Sequence, residues 1–231
     1  MTAKGALFDF SGTLFRVEPA EDWLRAALKA VGIALAPADF TRYLRELVEV
    51  GAQPGGAAPR AILPHLAQGW RERDRTAEQH HAAYLAQARQ VSLPHEKLYE
   101  ALYARHKEPA AWRAYPDAAE VLAQLRQGGV RIAVVSNIGW DLRPIFREHG
   151  LDQFVDAYLL SFEHSIQKPE PALFRLACAA LGTAAPDTVM VGDNRQADGG
   201  AAAIGCRVHF VDHVPVTQRP NGLRPVLGLI G

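Results

Sequence analysis

Cysteine is scarce in this chain. Its 231 residues include two, Cys178 and Cys206. Two are too few for a disulfide framework, so both are expected to be buried free thiols of a cytoplasmic protein. An excess of one charge is also missing, since 25 Lys and Arg stand against 25 Asp and Glu. A net charge of zero offers no electrostatic footprint for nucleic acid or for an anionic membrane, and neither is expected as a partner. No run of about 18 apolar residues occurs, so no membrane span is expected. The N-terminus enters a strand-like run too soon for a signal peptide. Repeats and low-complexity segments are absent. What is present is an ordinary globular composition, 48% hydrophobic and 22% charged, in a chain long enough to bury a full core.

The residue pattern divides the chain. Gly5 to Phe8 reads as a short buried strand that ends on Asp9, with the backbone breaker Gly12 close behind. From Pro19 the text turns helical. Trp23, Leu24, Ala27, Leu28 and Val31 recur at helical spacing, and a second amphipathic stretch runs from Pro37 to Val50. Further helices are expected around 60–68, 74–90 and 94–106, with no strand between Val17 and Pro109. Alternation begins again at Tyr115. Helices are expected at 116–127, 141–149, 171–181 and 196–204, and strands at 130–135, 157–160, 188–191 and 207–211. The tail from Pro215 reads as irregular. Strand–helix alternation predicts an α/β fold with a doubly wound parallel sheet. Residues 1–15 and 110–231 form its core, and 16–109 form an inserted helical domain.

Four polar clusters follow strand-like runs: Asp9 with Ser11; Ser136-Asn137; Lys168 in Gln167-Lys168-Pro169-Glu170-Pro171; and Asp193 with Asp198 in Gly192-Asp193-Asn194-Arg195-Gln196-Ala197-Asp198. Open α/β sheets place their chemistry in the crevice beyond the strand ends, where these groups would gather. Each alone has a plainer reading. Asp9 could cap a loop, Ser136-Asn137 could form a turn, Lys168 could be a surface lysine, and Asp193 or Asp198 could cap a helix. Their joint order carries the argument.

In that order the clusters resemble the haloacid dehalogenase-like hydrolases, whose first motif is Asp-x-Asp-Gly-Thr. Here it stands as Asp9-Phe10-Ser11-Gly12-Thr13. The resemblance covers Gly5 to Phe15 and about Tyr115 to Asp212. It implies a Rossmann-like core with a helical cap inserted after the first motif. It also implies Mg²⁺-dependent hydrolysis of a small phosphorylated metabolite through an aspartyl phosphate on Asp9. Asp9, Asp193 and the backbone carbonyl of Ser11 would ligate Mg²⁺, with Asp198 orienting the metal's water. Lys168 would bridge the nucleophile and the transferred phosphate, and Ser136 and Asn137 would hold phosphate oxygens. Oligomeric state has no signal in the sequence.

Ser11 departs from the motif. Family phosphatases use a second Asp there as general acid and base, a contribution of about 10²–10⁴-fold, and a serine hydroxyl cannot supply it near neutral pH. One reading keeps a phosphohydrolase that is slow or restricted to good leaving groups, with Glu18 or Asp22 from the cap side as a substitute acid. A second is attack on carbon, as in haloacid dehalogenases, which lack the second Asp but also lack the Gly-Asp pair seen here as Gly192-Asp193. A third is phosphonatase-like chemistry on a cap lysine, Lys29, Lys97 or Lys107. The last is a non-catalytic phosphate-binding or interaction protein. Arg16 and Arg195 flank the catalytic loops and could meet an anionic substrate. By contrast, His65 and His80-His81 read as solvated or locally satisfied, His164 as a loop residue facing solvent, the mixed run Arg71 to Arg75 as a solvated face, and Trp23, Trp70 and Trp112 as packing residues.

Overall fold

The structure is a computed structural model and describes residues 3–229. Strand β1 (Gly5–Phe8) leads through a tight loop into β2 (Phe15–Val17). Helices α1 (Ala20–Val31), α2 (Pro37–Glu49), α3 (Ala67–Arg71), α4 (Ala77–Ala88) and α5 (Lys97–Arg105) follow, and β3 (Trp112–Ala114) returns. Then come α6 (Ala118–Gln127), β4 (Arg131–Ser136), α7 (Arg143–Glu148), β5 (Ala157–Leu160), α8 (Ser161–His164), α9 (Pro171–Leu181), β6 (Thr188–Gly192) and β7 (Arg207–Phe210). No helix among the described residues is long and apolar enough to cross a membrane.

Five strands form one parallel sheet in the order β5-β4-β1-β6-β7. From β1 the chain builds outward through β4 and β5, then returns to the other side of β1 for β6 and β7. The switch point therefore lies between β1 and β6, where open sheets of this kind form a crevice. Both faces of the sheet are covered. Ala6, Phe8, Ile132, Val134, Val189 and Val191 face one core layer with α6 and α7. The alternate residues Leu7, Ala133, Val135 and Met190 face a second layer with α9. The period-two alternation of uniformly apolar strands is what a sheet buried on both faces requires. Each large side chain fully buried in these layers contributes about 1.5–3 kcal/mol.

The helical insert has its own core, built on Trp23, Leu24, Leu28, Leu47, Leu98 and Leu102. The Trp23 indole N–H donates to the Leu102 carbonyl at 2.8 Å, tying α1 to α5. The insert leaves the sheet through β2 and returns through β3, which pair antiparallel with Arg16 opposite Arg113. Insert and sheet meet again where Ser161 Oγ donates to the Asp74 carbonyl at 2.5 Å, and where Arg75 pairs with Glu170 at 2.8 Å. At Gly139 an added Cβ would overlap the His80 side chain, so the absence of one lets α4 approach the loop after β4.

Several elements are shorter than the periodicity suggests. The expected helix at 60–68 is a 3₁₀ turn at Pro64–Leu66 followed by the brief α3, where proline and Gly69 limit propagation. The stretch expected as a helix at 196–204 is a 3₁₀ segment, Asp198–Ile204. Its Gly200 lies so close to the Lys168 segment that a Cβ would stand 2.5 Å from the Pro169 carbonyl oxygen. Cys178 on α9 and Cys206 before β7 are buried free thiols with their sulfurs 3.9 Å apart.

Candidate active site

The four clusters converge on one cavity of about 780 Å³ at the carboxyl ends of the central strands. Asp9, Ser11, Ser136, Asn137, Lys168, Asp193 and Asp198 all line it. Asp9 follows β1 and Asp193 follows β6, one on each side of the switch point. The loop after Asp9 is wound tightly: the N–H groups of Leu14 and Phe15 both donate to the Phe10 carbonyl, at 3.1 and 2.9 Å. Gly12 adopts a φ of 87°, and a Cβ there would overlap both Asp193 and His213, so glycine is needed for conformation and for space.

Lys168 is the hub. Its Nζ donates to Asp9 Oδ1 at 2.7 Å and to Asp198 Oδ1 at 2.6 Å, all three residues being buried. The Lys168 backbone is itself clamped by the Asn137 side chain. Asn137 Nδ2 donates to the Lys168 carbonyl at 2.9 Å, and Asn137 Oδ1 accepts the Lys168 N–H at 2.7 Å. Asn137 thus positions the lysine, and its amide is already engaged in that clamp. Ser136 is buried at the end of β4. The other Asp198 oxygen accepts the Asn194 N–H at 2.9 Å, and Gly192 leaves the space that Asp198 fills.

Asp9, Asp193 and Asp198 each offer an oxygen within 4.8 Å of the others. Burial pushes the Asp9 carboxyl up to about 8; Lys168 opposes that rise, while Asp198 and Asp193 add to it. Burial would also drive the Lys168 amine down, but Asp198 and Asp9 hold it above the ordinary lysine range. One ammonium thus pairs with two of three crowded carboxylates. With both Asp198 oxygens engaged and Asp193 Oδ2 bonded to His213, the donors left to a cation are Asp193 Oδ1 and Asp9 Oδ2, which accepts only a long hydrogen bond from Thr13 Oγ1 at 3.4 Å. An all-oxygen set short of positive charge suits a hard divalent ion such as Mg²⁺.

Neither acid expected from the insert reaches this cavity. Glu18 is buried and held bidentate by Arg105, at 2.7 Å to each oxygen, and Asp22 faces Arg113 at 3.7 Å. Lys29, Lys97 and Lys107 are exposed and lie outside it. Arg16 and Arg195 do line it. Arg16 donates to the Gly55 carbonyl at 2.6 Å, and a Cβ on Gly55 would stand 2.8 Å from Ser11 Oγ, so the 51–59 loop closes directly over Ser11.

The charge run at 71–75 is not a solvated face. Asp74 is buried and lines the cavity with Arg73, His80, Tyr84 and Trp70. Arg73 stacks on Trp70 with its guanidinium carbon 4.4 Å from the ring centre. Its nearest contact to Asp74 is 3.5 Å, and His80 Nε2 stands 3.7 Å from the same carboxylate. Burial raises the Asp74 carboxyl above its ordinary range, with Arg73 and then Lys168 opposing. His80 is buried, with Nδ1 hydrogen-bonded to the Tyr103 hydroxyl at 2.8 Å, and burial pushes it down to about 3. His213, also missed by pattern reading, hydrogen-bonds Asp193 through Nδ1. It stands three residues beyond the end of β7, so its place after a parallel strand was the available signal.

A family model described as haloacid dehalogenase-like hydrolase matches residues 3–205. The chain belongs to that hydrolase family, as its parallel sheet and flanking helices also indicate. Among curated relatives, it is 37% identical over 132 residues to a phosphoserine phosphatase of Thermus thermophilus, covering 56% of this chain and 50% of that protein. It is 34% identical over 110 residues to (S)-2-haloacid dehalogenase 4A of Burkholderia cepacia, covering 47% and 46%. In both, the match spans about half of the relative's length. A solved structure described as a predicted phosphoglycolate phosphatase from Haemophilus somnus superposes with a TM-score of 0.62 at 21% identity, covering 94% of this chain and 91% of that one, and shows the shared fold.

Proposed function

We propose that the protein is a Mg²⁺-dependent phosphohydrolase acting on small phosphorylated metabolites, with Asp9 as nucleophile and the helical insert as a cap over the site. The observation that carries this reading is the convergence of Asp9, Lys168, Asp193 and Asp198 at the sheet switch point. A carboxylate nucleophile must approach a phosphate dianion, and Lys168 lies where it can offset both charges. Asp9 and Asp193 would hold Mg²⁺, with the Ser11 carbonyl as a third donor; a bound Mg²⁺ would neutralise charge on the phosphate oxygens. Asp198 keeps Lys168 in place, Asn137 clamps its backbone, and Ser136 stands at the strand end that would face the phosphate. Arg16 and Arg195 add positive charge at the cavity wall.

Attack on carbon is the second reading, favoured by Ser11 and by the dehalogenase relative. Expulsion of halide requires no divalent cation. Three crowded carboxylates, two of them buried and paired with one lysine, would then be repulsion without a use, so phosphoryl chemistry accounts for the site better. Phosphate release from a panel of small phosphate esters, with and without Mg²⁺, tests the reading. The expected result is Mg²⁺-dependent release that disappears in Asp9→Asn. Halide release from 2-haloacids with no phosphate release would replace it with the second reading.

A further inference from the structure

We propose that Asp74, from the helical insert, is the general acid and base that Ser11 cannot be. The inference rests on the phosphohydrolase reading and supplies the catalytic group that reading lacks. Four carboxyl groups line the cavity: Asp9, Asp74, Asp193 and Asp198. Three of them, Asp9, Asp193 and Asp198, cluster together, and two of these bind Lys168. Asp74 alone stands apart. It is buried, opens on the cavity, and makes only long contacts, 3.5 Å to Arg73 and 3.7 Å to His80. Cavity residues of other kinds are committed elsewhere, His80 to Tyr103 and His213 to Asp193.

Its placement suits the role. Asp9 attacks from the sheet side, and an in-line displacement sends the leaving oxygen to the opposite side, toward the insert. Asp74 lies on that side. Ser161 Oγ fixes it, donating to the Asp74 carbonyl at 2.5 Å while accepting the Ile138 N–H at 2.9 Å. The Asp74 backbone is thereby anchored to the segment that follows Ser136-Asn137, and its carboxyl lines the same cavity as those two residues. Burial raises the carboxyl above its ordinary range, the direction a general acid needs.

The steps balance. An Asp9 oxygen bonds to phosphorus as the ester P–O bond breaks, and the departing oxygen takes the electron pair and the Asp74 proton, leaving as an alcohol. Asp74, now a carboxylate, accepts a proton from water as the water oxygen bonds to phosphorus. The aspartyl O–P bond breaks, its electron pair returns to Asp9, and hydrogen phosphate departs with Asp74 protonated again.

The test compares an alkyl phosphate with 4-nitrophenyl phosphate, whose leaving group needs no proton, at saturating Mg²⁺. Wild type, Asp74→Asn, Ser11→Asp and the double variant are assayed across pH, with circular dichroism checking the fold. We expect Asp74→Asn to lower kcat/KM on the alkyl ester at least 100-fold and on the aryl ester less than tenfold, because kcat/KM ends at the phosphorylation step, while the loss of the base lowers kcat on both. The alkaline limb of the wild-type profile should vanish in Asp74→Asn. That limb is set by Asp74 among Arg73, His80, Tyr84, Tyr103 and Lys168, the groups around it. Adding Ser11→Asp should restore alkyl turnover at least tenfold. Equal loss of kcat/KM on both esters without rescue, or no loss at all, overturns the role of Asp74. Should Asp74→Asn not fold, the wild type still decides, because a steep fall in rate with rising leaving-group pKa contradicts an internal acid. No phosphate release by any variant removes the phosphohydrolase reading itself, and the proposal with it.

Discussion

Lys168 Nζ lies 2.7 Å from Asp9 Oδ1, although 159 residues separate the two in sequence. The contact joins the first strand's carboxyl end to the segment before α9, and both partners are buried. A buried ion pair is costly to break from one side, because the remaining charge has neither water nor partner. Here the remainder would be two carboxylates, Asp9 and Asp198. Lys168→Met is therefore expected to lower unfolding free energy by about 3–5 kcal/mol and to abolish turnover. Denaturant unfolding and phosphate release check the two effects separately. Unchanged stability would mean that the carboxylates discharge by taking up protons.

The same crowding predicts stabilisation by metal. A ligand that binds only the folded state at 100 times its Kd adds about 2.7 kcal/mol, or roughly 5–10 °C in Tm for a chain of this size. Mg²⁺ is expected to raise the Tm of wild type by that order. Asp193→Ala, which removes a donor, should lose most of the shift. Equal shifts in both proteins would place the ion elsewhere.

His80 and His106 give the protein an acid-sensitive side. His106 is fully buried beside Trp140 and Tyr103, and neither ring nitrogen has a hydrogen-bond partner. Burial holds His106 well below its ordinary range, as it does His80. In the unfolded chain both take up protons near pH 6.5, while the folded protein keeps them neutral. Stability is thus full above that pH and is lost as pH falls toward the folded value, about 3 for His80. Between pH 6.5 and 5, His80 alone accounts for roughly 1.5 kcal/mol. His106→Leu should flatten the slope of stability against pH in this window, measured by urea unfolding at pH 5, 6 and 7.

Gly139 predicts how tightly the insert is held. An added Cβ would run into the His80 side chain, so Gly139→Ala must push α4 away from the loop after β4. Overpacking of this kind costs about 1–3 kcal/mol. A lower Tm together with faster proteolysis within 51–76 is expected; a neutral result would show that the insert shifts freely.

The legible parts of the chain are those fixed by local pattern. α9 and β5 begin and end where pattern reading puts them, since proline, glycine and uniform apolar runs mark their ends. Asp9, Lys168, Asp193 and Asp198 stand out because their clusters follow strand-like runs in a fixed order along the chain. Asp74 was not legible. Alternating charges in Arg71-Glu72-Arg73-Asp74-Arg75 look solvated in sequence, and long-range contacts, Ser161 with Asp74 across 87 residues and Glu170 with Arg75, turn that stretch inward. Glu18 failed in the opposite sense. Its place after the first motif suggested an acid, but Arg105, also 87 residues away, claims both of its oxygens. Long-range pairing decides such cases, and periodicity carries no information on it.

The most direct measurement is acid quenching of the Mg²⁺-loaded protein during turnover, followed by mass spectrometry of the peptide containing Asp9. The account predicts a phosphoryl group on Asp9, absent in Asp9→Asn and absent without Mg²⁺. Steady phosphate release with no phosphoryl group on Asp9, and with Asp9→Asn still active, would contradict it.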